Sequence, residues 1–97
     1  MKKLTFDEEL KEQLKDPEFK EAWDELETEY ELINALIAAR VYRNMTQKEL
    51  SQKSGIDQAN ISKIETGMYN PSLKILKRLA DAMDMKLKIE FVPDLKQ

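Results

Sequence analysis

The sequence of 97 residues contains no cysteine and no histidine. Disulfides are therefore excluded, as are zinc sites built from Cys or His ligands and catalytic pairs of the Ser-His or Cys-His type. A chain without cysteine fits a reducing compartment, and we expect a cytoplasmic protein. No apolar run approaches the about 20 residues of a membrane-spanning helix, and the start MKKLTFDEEL lacks the apolar segment of a secretory signal.

Glycine and proline are also scarce, with two and three residues. The composition is 41% hydrophobic and 36% charged, which is typical of a small globular domain with one modest core. There is no glycine-rich phosphate loop and little room for a pocket. The many carboxylates, such as Glu8 with Glu12, therefore indicate solvated helix faces, and we expect no enzyme, no cofactor and no metal site.

Positive charge is scarce in the first third of the chain. Residues 1–31 contain 5 Lys and 12 Asp or Glu, a net charge of −7, whereas residues 32–97 contain 11 Lys or Arg and 7 Asp or Glu, a net charge of +4. This asymmetry suggests two partners, a polyanion for one part and a basic protein for the other. The alternative is that the charges are ordinary solvated helix surfaces.

Apolar residues recur at helical spacing along the first part of the chain. A first helix is predicted over about residues 5–15, with Phe6, Leu10 and Leu14 on one stripe. Asp16 and Pro17 end this helix and start a second one, because aspartate suits the N-cap and proline the first helical position.

The second helix carries apolar residues at positions i, i+3, i+4 and i+7, namely Phe19, Ala22, Trp23 and Leu26. Thr28 and Glu31 have the spacing of a capping box, which predicts a further, long helix to about Arg43. Nothing between Leu26 and Thr28 forces a break, so one continuous helix is the alternative. The chain is predicted to be mainly α, with five to six helices.

The stretch TQKELSQKSGIDQANISKIETG, residues 46–67, predicts two short helices that meet at a rigid corner. Thr46 and Glu49 form a capping box, Gly55 supplies the positive φ of the turn, and Asp57 caps the second helix. The inward side chains are Leu50, Ile56, Ile61 and Ile64. Ser72 caps a last helix that extends through Met83. Helix, glycine turn and helix form a unit that places its second helix in the DNA major groove.

The outward face of this second helix carries short polar groups instead of the mixed Glu and Lys of a solvated face. The predicted base-reading side chains are Gln58, Ala59, Asn60, Ser62 and Lys63. Gln and Asn pair with adenine, Lys reaches guanine, and an alanine methyl contacts a thymine methyl. Gln47 lies at a helix N-terminus suited to hold a phosphate. The cations predicted for the DNA backbone are Arg40, Arg43, Lys48 and Lys53.

The periodicity changes at MKLKIEFV, residues 85–92, where apolar and charged residues alternate. This pattern predicts a half-buried strand that ends at Pro93. The chain offers no second strand to pair with it, so we expect a two-stranded ribbon across the two-fold axis of a homodimer, with Leu87, Ile89 and Phe91 as dimerisation residues. The alternative is an extended tail packed on the helices.

Residues 36–79 resemble the phage-repressor (Xre/Cro-type) helix-turn-helix family. The family pattern TQxELAxxxGIxxxxISxxExG is matched by Thr46, Gln47, Glu49, Leu50, Gly55, Ile56, Ile61, Ser62, Glu65 and Gly67, and Pro71, Ser72 and Leu73 match its NPSL segment. By position, the resemblance implies phosphate contacts for Gln47 and Asn70. The sequence departs from the pattern at Ser51, where alanine is usual, and at Ser54, where an apolar residue is common.

Nearly the whole chain resembles HigA-type antitoxins, through LKDPEFKEAWDELETEYELINALIAAR, the helix-turn-helix and the closing MKLKIEFVP. The resemblance implies neutralisation of a small basic RelE/HigB-like toxin that cleaves mRNA, and repression of the chain's own operon at a double-stranded operator. It implies an acidic toxin-binding arm over residues 1–31, a DNA-binding domain over residues 32–84 and a dimerisation segment over residues 85–97. It also implies association with the nucleoid when the operator is bound, and no membrane.

The apolar anchors implied for the toxin are Phe6, Leu10, Leu14, Phe19 and Trp23. An acidic arm would mask the basic RNA-binding surface of such a toxin and speed association. For Trp23 the alternative is a place in the protein's own core. For the whole chain the alternative function is a stand-alone transcriptional repressor of the Xre family.

Overall fold

The computed structural model describes residues 6–95, which form five α-helices. Their bounds are α1 Phe6–Gln13, α2 Pro17–Tyr42, α3 Gln47–Ser54, α4 Gln58–Glu65 and α5 Leu73–Ala82. The mainly α fold predicted from the sequence is confirmed. Of the predicted five to six helices, the described residues form five.

Helix α2 is a single helix of 26 residues, about 39 Å long at 1.5 Å per residue. It begins as predicted, with the Asp16 carboxylate accepting a hydrogen bond of 3.0 Å from the Glu18 backbone N–H and with Pro17 in the first turn. The separate helix predicted to start at Thr28 does not form. The sequence around Thr28 has no proline or glycine, so the helix continues and its backbone N–H groups need no side-chain cap.

The corner between α3 and α4 forms as predicted. Thr46 Oγ accepts from the Glu49 N–H at 3.0 Å, while the Glu49 carboxylate accepts from the Thr46 N–H at 3.4 Å. Gly55 ends α3 with φ of 74°, a conformation that costs glycine little. Asp57 precedes α4 at the predicted cap position, but its side chain makes no capping hydrogen bond.

Ser51 and Ser54, the two departures from the family pattern, both stabilise this corner. Ser51 Oγ donates to the Ile56 carbonyl at 2.6 Å, and Ser54 Oγ accepts from the Ile56 N–H at 3.2 Å. These bonds satisfy both backbone polar groups of a buried residue in the turn. Arg78 on α5 donates to the Ser54 carbonyl at 2.8 Å and so closes the end of α3.

Among the described side chains, the buried residues of the core lie between Leu36 and Met83. Its buried side chains are Leu36, Met45, Leu50, Ile56, Ile61, Ile64, Leu79 and Met83. Helix α3 packs against both α4 and α5, and the second half of α2 packs against α4. The first half of α2 contributes no side chain to this core, and residues 17–35 contain no buried position.

The C-terminal strand predicted from residues 85–92 is not present, and residues 6–95 contain no β-strand. Asp84 has a positive φ of 53°, and residues 85–95 then continue without regular secondary structure. Met85 packs against the core and Leu87 is half-buried, whereas Ile89 is exposed and Phe91 is 102% exposed. A strand needs a neighbouring strand for its backbone hydrogen bonds, and the described part of the chain provides none.

Candidate nucleic-acid interface

Helix α4 separates an apolar inner face from a polar outer face. Ile61 and Ile64 are 0% and 1% exposed and anchor the helix in the core. Of the predicted base-reading residues, Gln58, Ala59, Asn60 and Lys63 are exposed and Ser62 is half-buried. The five side chains therefore share one accessible helix, whose orientation is set by the two isoleucines.

Helix α4 also has a defined end. Gly67 follows it with φ of 78°, and the Met68 N–H donates to the Lys63 carbonyl at 2.8 Å, as in a left-handed helix termination. A Cβ on Gly67 would lie 3.3 Å from Cδ1 of Ile33 on α2, so the end of α4 contacts the long helix closely. Asn70, the second residue implied to contact phosphate, is exposed in the following loop.

A buried ion pair connects α2, α3 and α4. Arg40 Nε and Nη2 donate to the two carboxylate oxygens of Glu65 at 2.8 and 2.9 Å, and Arg40 Nη1 donates to the Met45 carbonyl at 2.9 Å. The side chains of Arg40 and Glu65 are only 16% and 5% exposed. Gln47 Nε2 donates to the same carboxylate at 3.1 Å. A planar two-bond pair of this kind fixes the orientation of both groups.

The pKa of Glu65 reflects two opposing effects. Burial by itself raises the pKa, but hydrogen bonds from Arg40 and Gln47 and the charge of Arg40 lower it more, so the net pKa lies below the ordinary value. The pKa of Arg40 is raised, chiefly by its hydrogen bond to Glu65. Both groups are therefore charged at neutral pH, and the carboxylate holds the Gln47 amide at the start of α3.

The four cations predicted for the DNA backbone differ in their surroundings. Lys48 and Lys53 are exposed on α3. Arg40 is held by Glu65, and Arg43 donates to the carbonyls of Met83 and Asp84 at 2.9 and 3.0 Å. These bonds fix α2 to the C-terminal end of α5, where orphan carbonyls accept them. Arg40 and Arg43 were predicted to contact the DNA backbone. In the structure, both side chains connect α2 to other parts of the domain.

The five anchors predicted for the acidic arm lie on α1, in the turn after it and on the first half of α2. The side chain of Phe6 lies outside the described side chains, and Leu10, Leu14, Phe19 and Trp23 are half-buried. The Phe19 and Trp23 rings stack with centroids 6.4 Å apart. Trp23 does not belong to the core cluster of the described residues. The alternative that Trp23 packs in the protein's own core is therefore not supported.

The aromatic face of α2 continues further than the predicted set. The Tyr30 ring lies 6.0 Å from that of Trp23, and Leu26 lies between them on the same face. Leu26 and Tyr30 are 43% and 49% exposed. We call these four residues, Phe19, Trp23, Leu26 and Tyr30, the α2 stripe. Tyr30 was missed because the predicted capping box at Thr28 placed it in another helix, although its i+7 spacing from Trp23 was visible in the sequence.

Within residues 6–95, no group of His, Cys, Asp and Glu side chains is arranged to hold a metal ion. In the same range, none of the helices combines the length and the apolar character needed to cross a bilayer.

Residues 36–89 match the family model described as helix-turn-helix. The match covers more than half of the chain, which therefore belongs to the helix-turn-helix family. The resemblance to antitoxins is also found: the chain is 34% identical over 83 residues to Antitoxin HigA1 of Mycobacterium tuberculosis. That alignment covers 84% of this chain and 56% of the relative, so the chain spans just over half the length of HigA1.

Two uncharacterized HTH-type transcriptional regulators are similar over shorter ranges. One from Sinorhizobium fredii is 44% identical over 52 residues, which is 54% of this chain and 26% of that protein. One from Methanocaldococcus jannaschii is 36% identical over 59 residues, which is 61% of this chain and 89% of that protein. No solved structure matches the chain. None of these three relatives is named as an enzyme, in agreement with the prediction of a non-catalytic protein.

Proposed function

We propose that the chain is an antitoxin that neutralises a small basic RelE/HigB-like toxin and represses its own operon as a homodimer on operator DNA. The observation that carries the proposal is the likeness to Antitoxin HigA1, which extends over 84% of the chain and so includes residues outside the helix-turn-helix. A stand-alone repressor would need the DNA-binding unit alone.

In the DNA complex, α4 enters the major groove and its outer side chains contact base edges. Gln58 and Asn60 pair with adenine, Lys63 reaches guanine, and Ala59 contacts a thymine methyl. Ser62 lies beside them. Gln47, held by Glu65, and Asn70 contact phosphates on either side of the recognition helix, and Lys48 adds a backbone contact. Arg43 contributes charge beside this surface while keeping its bonds to the end of α5.

Residues 85–97 form the proposed dimerisation segment. Residues 85–92 alternate apolar and charged side chains, and within residues 6–95 they pair with no β-strand. Pairing with the same segment of a second copy satisfies the backbone groups and covers Leu87, Ile89 and Phe91. The two-fold dimer then presents two α4 helices to half-sites about one DNA turn apart.

Replacing Ile89 and Phe91 together with glutamine is expected to raise the dimer dissociation constant at least about tenfold, because four apolar side chains are removed from the proposed dimer interface. The matched control replaces Lys88 and Glu90 with glutamine, which alters the other side of the segment and also leaves the net charge unchanged. Sedimentation velocity measures the dimer dissociation constants of both variants. Equal dissociation constants for the two variants would place the dimer interface elsewhere.

The proposed toxin-binding arm comprises residues 1–31, with net charge −7. Its anchors are Phe6, Leu10, Leu14, Phe19 and Trp23. The support from the structure is that the first half of α2 projects beyond the core and is exposed or half-buried throughout. A basic RNA-cleaving protein supplies the complementary charge.

A variant that lacks residues 2–15 is expected to lose most protection against the toxin of its own operon, since three of the proposed anchors are removed. Residues 2–15 contain four Lys and four Asp or Glu, so the truncation leaves the net charge of the arm unchanged. Growth of cells that co-express toxin and antitoxin reports neutralisation. As a control, the same variant keeps its dimerisation and its binding to the operon promoter, because both proposed surfaces lie after residue 40. Full protection by the truncated protein would refute a role of α1. A wild-type chain that binds the promoter but protects against no toxin would leave a stand-alone repressor.

A further inference from the structure

We propose that the α2 stripe, down to Leu26 and Tyr30, is the central docking surface for the basic toxin. This inference rests on the proposed antitoxin function and adds two residues to the five anchors that the family resemblance implies. It places the partner against a helix that is continuous with the DNA-binding domain.

The first observation is that the stripe has an apolar surface that the protomer does not cover. Its four residues share one helix face, and the Phe19, Trp23 and Tyr30 rings contact one another in sequence. None of the four belongs to the core cluster. Aromatic side chains that remain half-exposed on a single helix face are typical anchors of protein interfaces, because each offers a large contact area with few torsions to restrain.

The second observation is the charge around the stripe. Residues 17–31 contain seven Asp or Glu and one Lys. At about 100° per residue, Glu27 and Glu29 flank the stripe on its two sides, whereas Glu21 and Glu25 lie towards the opposite face of α2. Among the ion pairs of the described residues, none lies within residues 17–31. A strongly basic partner would complement the net negative charge of residues 17–31, whereas a second copy of the same helix would double that charge.

The third observation is where the stripe ends. One turn beyond Tyr30, Ile33 contacts the end of α4 at Gly67, and two turns further Arg40 holds Glu65 of α4. Because α2 is unbroken from Pro17 to Tyr42, a toxin on the stripe is held rigidly relative to the recognition helix. The toxin is therefore part of the same rigid body that meets DNA.

The test compares single substitutions that all add one positive charge to the same helix. Leu26→Lys and Tyr30→Lys alter the stripe, and Thr28→Lys is the matched control, because residue 28 points to the other side of α2 at about 100° per residue. The full-length chain is titrated by calorimetry with a catalytically inactive form of the toxin from its own operon. Circular dichroism and promoter binding verify that each variant is folded.

The two stripe variants are expected to weaken toxin binding at least about tenfold, and Thr28→Lys less than about threefold, since it changes only the general charge. Equal affinities for stripe and control variants would overturn the inference while leaving the antitoxin function intact. Stripe variants that lose dimerisation but bind toxin like the control would identify the stripe as a self-association surface and would also overturn it. No binding by the wild-type chain would instead refute the proposed function itself.

Discussion

Arg40→Met is expected to lower the free energy of unfolding by about 3–5 kcal/mol, the usual cost of removing one partner from a buried ion pair. The substitution leaves the Glu65 carboxylate, whose side chain is 5% exposed, without its two bonds from the guanidinium. The Met45 carbonyl also loses its side-chain donor. This loss is large beside the about 5–15 kcal/mol by which small domains are stable. Urea unfolding measures it.

Two comparisons isolate the cause. Lys77→Met removes the cation of the Lys77–Asp81 pair, whose side chains are 72% and 67% exposed, and is expected to change stability by less than about 0.5 kcal/mol. The double variant Arg40→Met with Glu65→Leu is expected to be more stable than Arg40→Met alone, because no unpaired charge stays buried. A loss below about 1 kcal/mol for Arg40→Met would show that the pair contributes little.

The cost of Arg40→Met is expected to depend on pH. In the wild type the pKa of Glu65 is lowered, so its contribution is fully present above the unfolded pKa and is lost as the pH falls through the lower folded pKa. In the variant, burial acts without the arginine, and the carboxyl takes up its proton at a higher pH. The difference in stability between the two proteins therefore shrinks as the pH falls from the raised pKa of the variant carboxyl, through the ordinary glutamate pKa of about 4.3, to the lowered pKa of the wild-type carboxyl.

Gln58→Ala combined with Lys63→Ala is expected to weaken operator binding by about 2–6 kcal/mol, since each well-paired side chain contributes about 1–3 kcal/mol to base discrimination. Both side chains are exposed on α4, so folding is expected to change by less than about 0.5 kcal/mol. Binding to random DNA is expected to fall much less, with a slightly reduced salt dependence from the loss of Lys63. Fluorescence anisotropy with operator and scrambled duplexes measures both affinities.

The matched control is Lys11→Ala with Gln13→Ala, which removes the same two residue types from exposed positions on α1. It is expected to bind operator like the wild type, and toxin binding by the α4 double variant is expected to be unchanged. If the α4 variant keeps its full preference for the operator, the recognition helix is misassigned.

The helix-turn-helix could be predicted from the sequence in nearly every detail because its signals are local. A capping box at Thr46, a left-handed glycine at position 55 and inward Ile61 and Ile64 each depend on neighbours within a few residues. The polar face of α4 follows from the same spacing, since burial of the two isoleucines leaves the polar side chains of the helix facing outward. The acidic first third of the chain was equally visible from residue counts.

Two local signals gave wrong predictions because the structures that they indicate also depend on other parts of the chain. Thr28 and Glu31 have capping spacing, but a helix already running from Pro17 has no reason to stop there. Residues 85–92 have strand periodicity, but periodicity supplies no hydrogen-bond partner, and none is present within the described protomer. In both cases the pattern was real and its structural meaning depended on what lay beside it.

The sequence by itself determined the helix-turn-helix, its outward side chains and the division of charge, because each depends on spacing along one helix or on simple composition. Only the tertiary structure decided that Arg40, Glu65 and Gln47 meet, since these residues lie on three helices and are up to 25 positions apart. It also decided that the α2 stripe lies outside the core. Contacts between distant residues follow from how helices pack, and spacing within any one helix does not specify that packing.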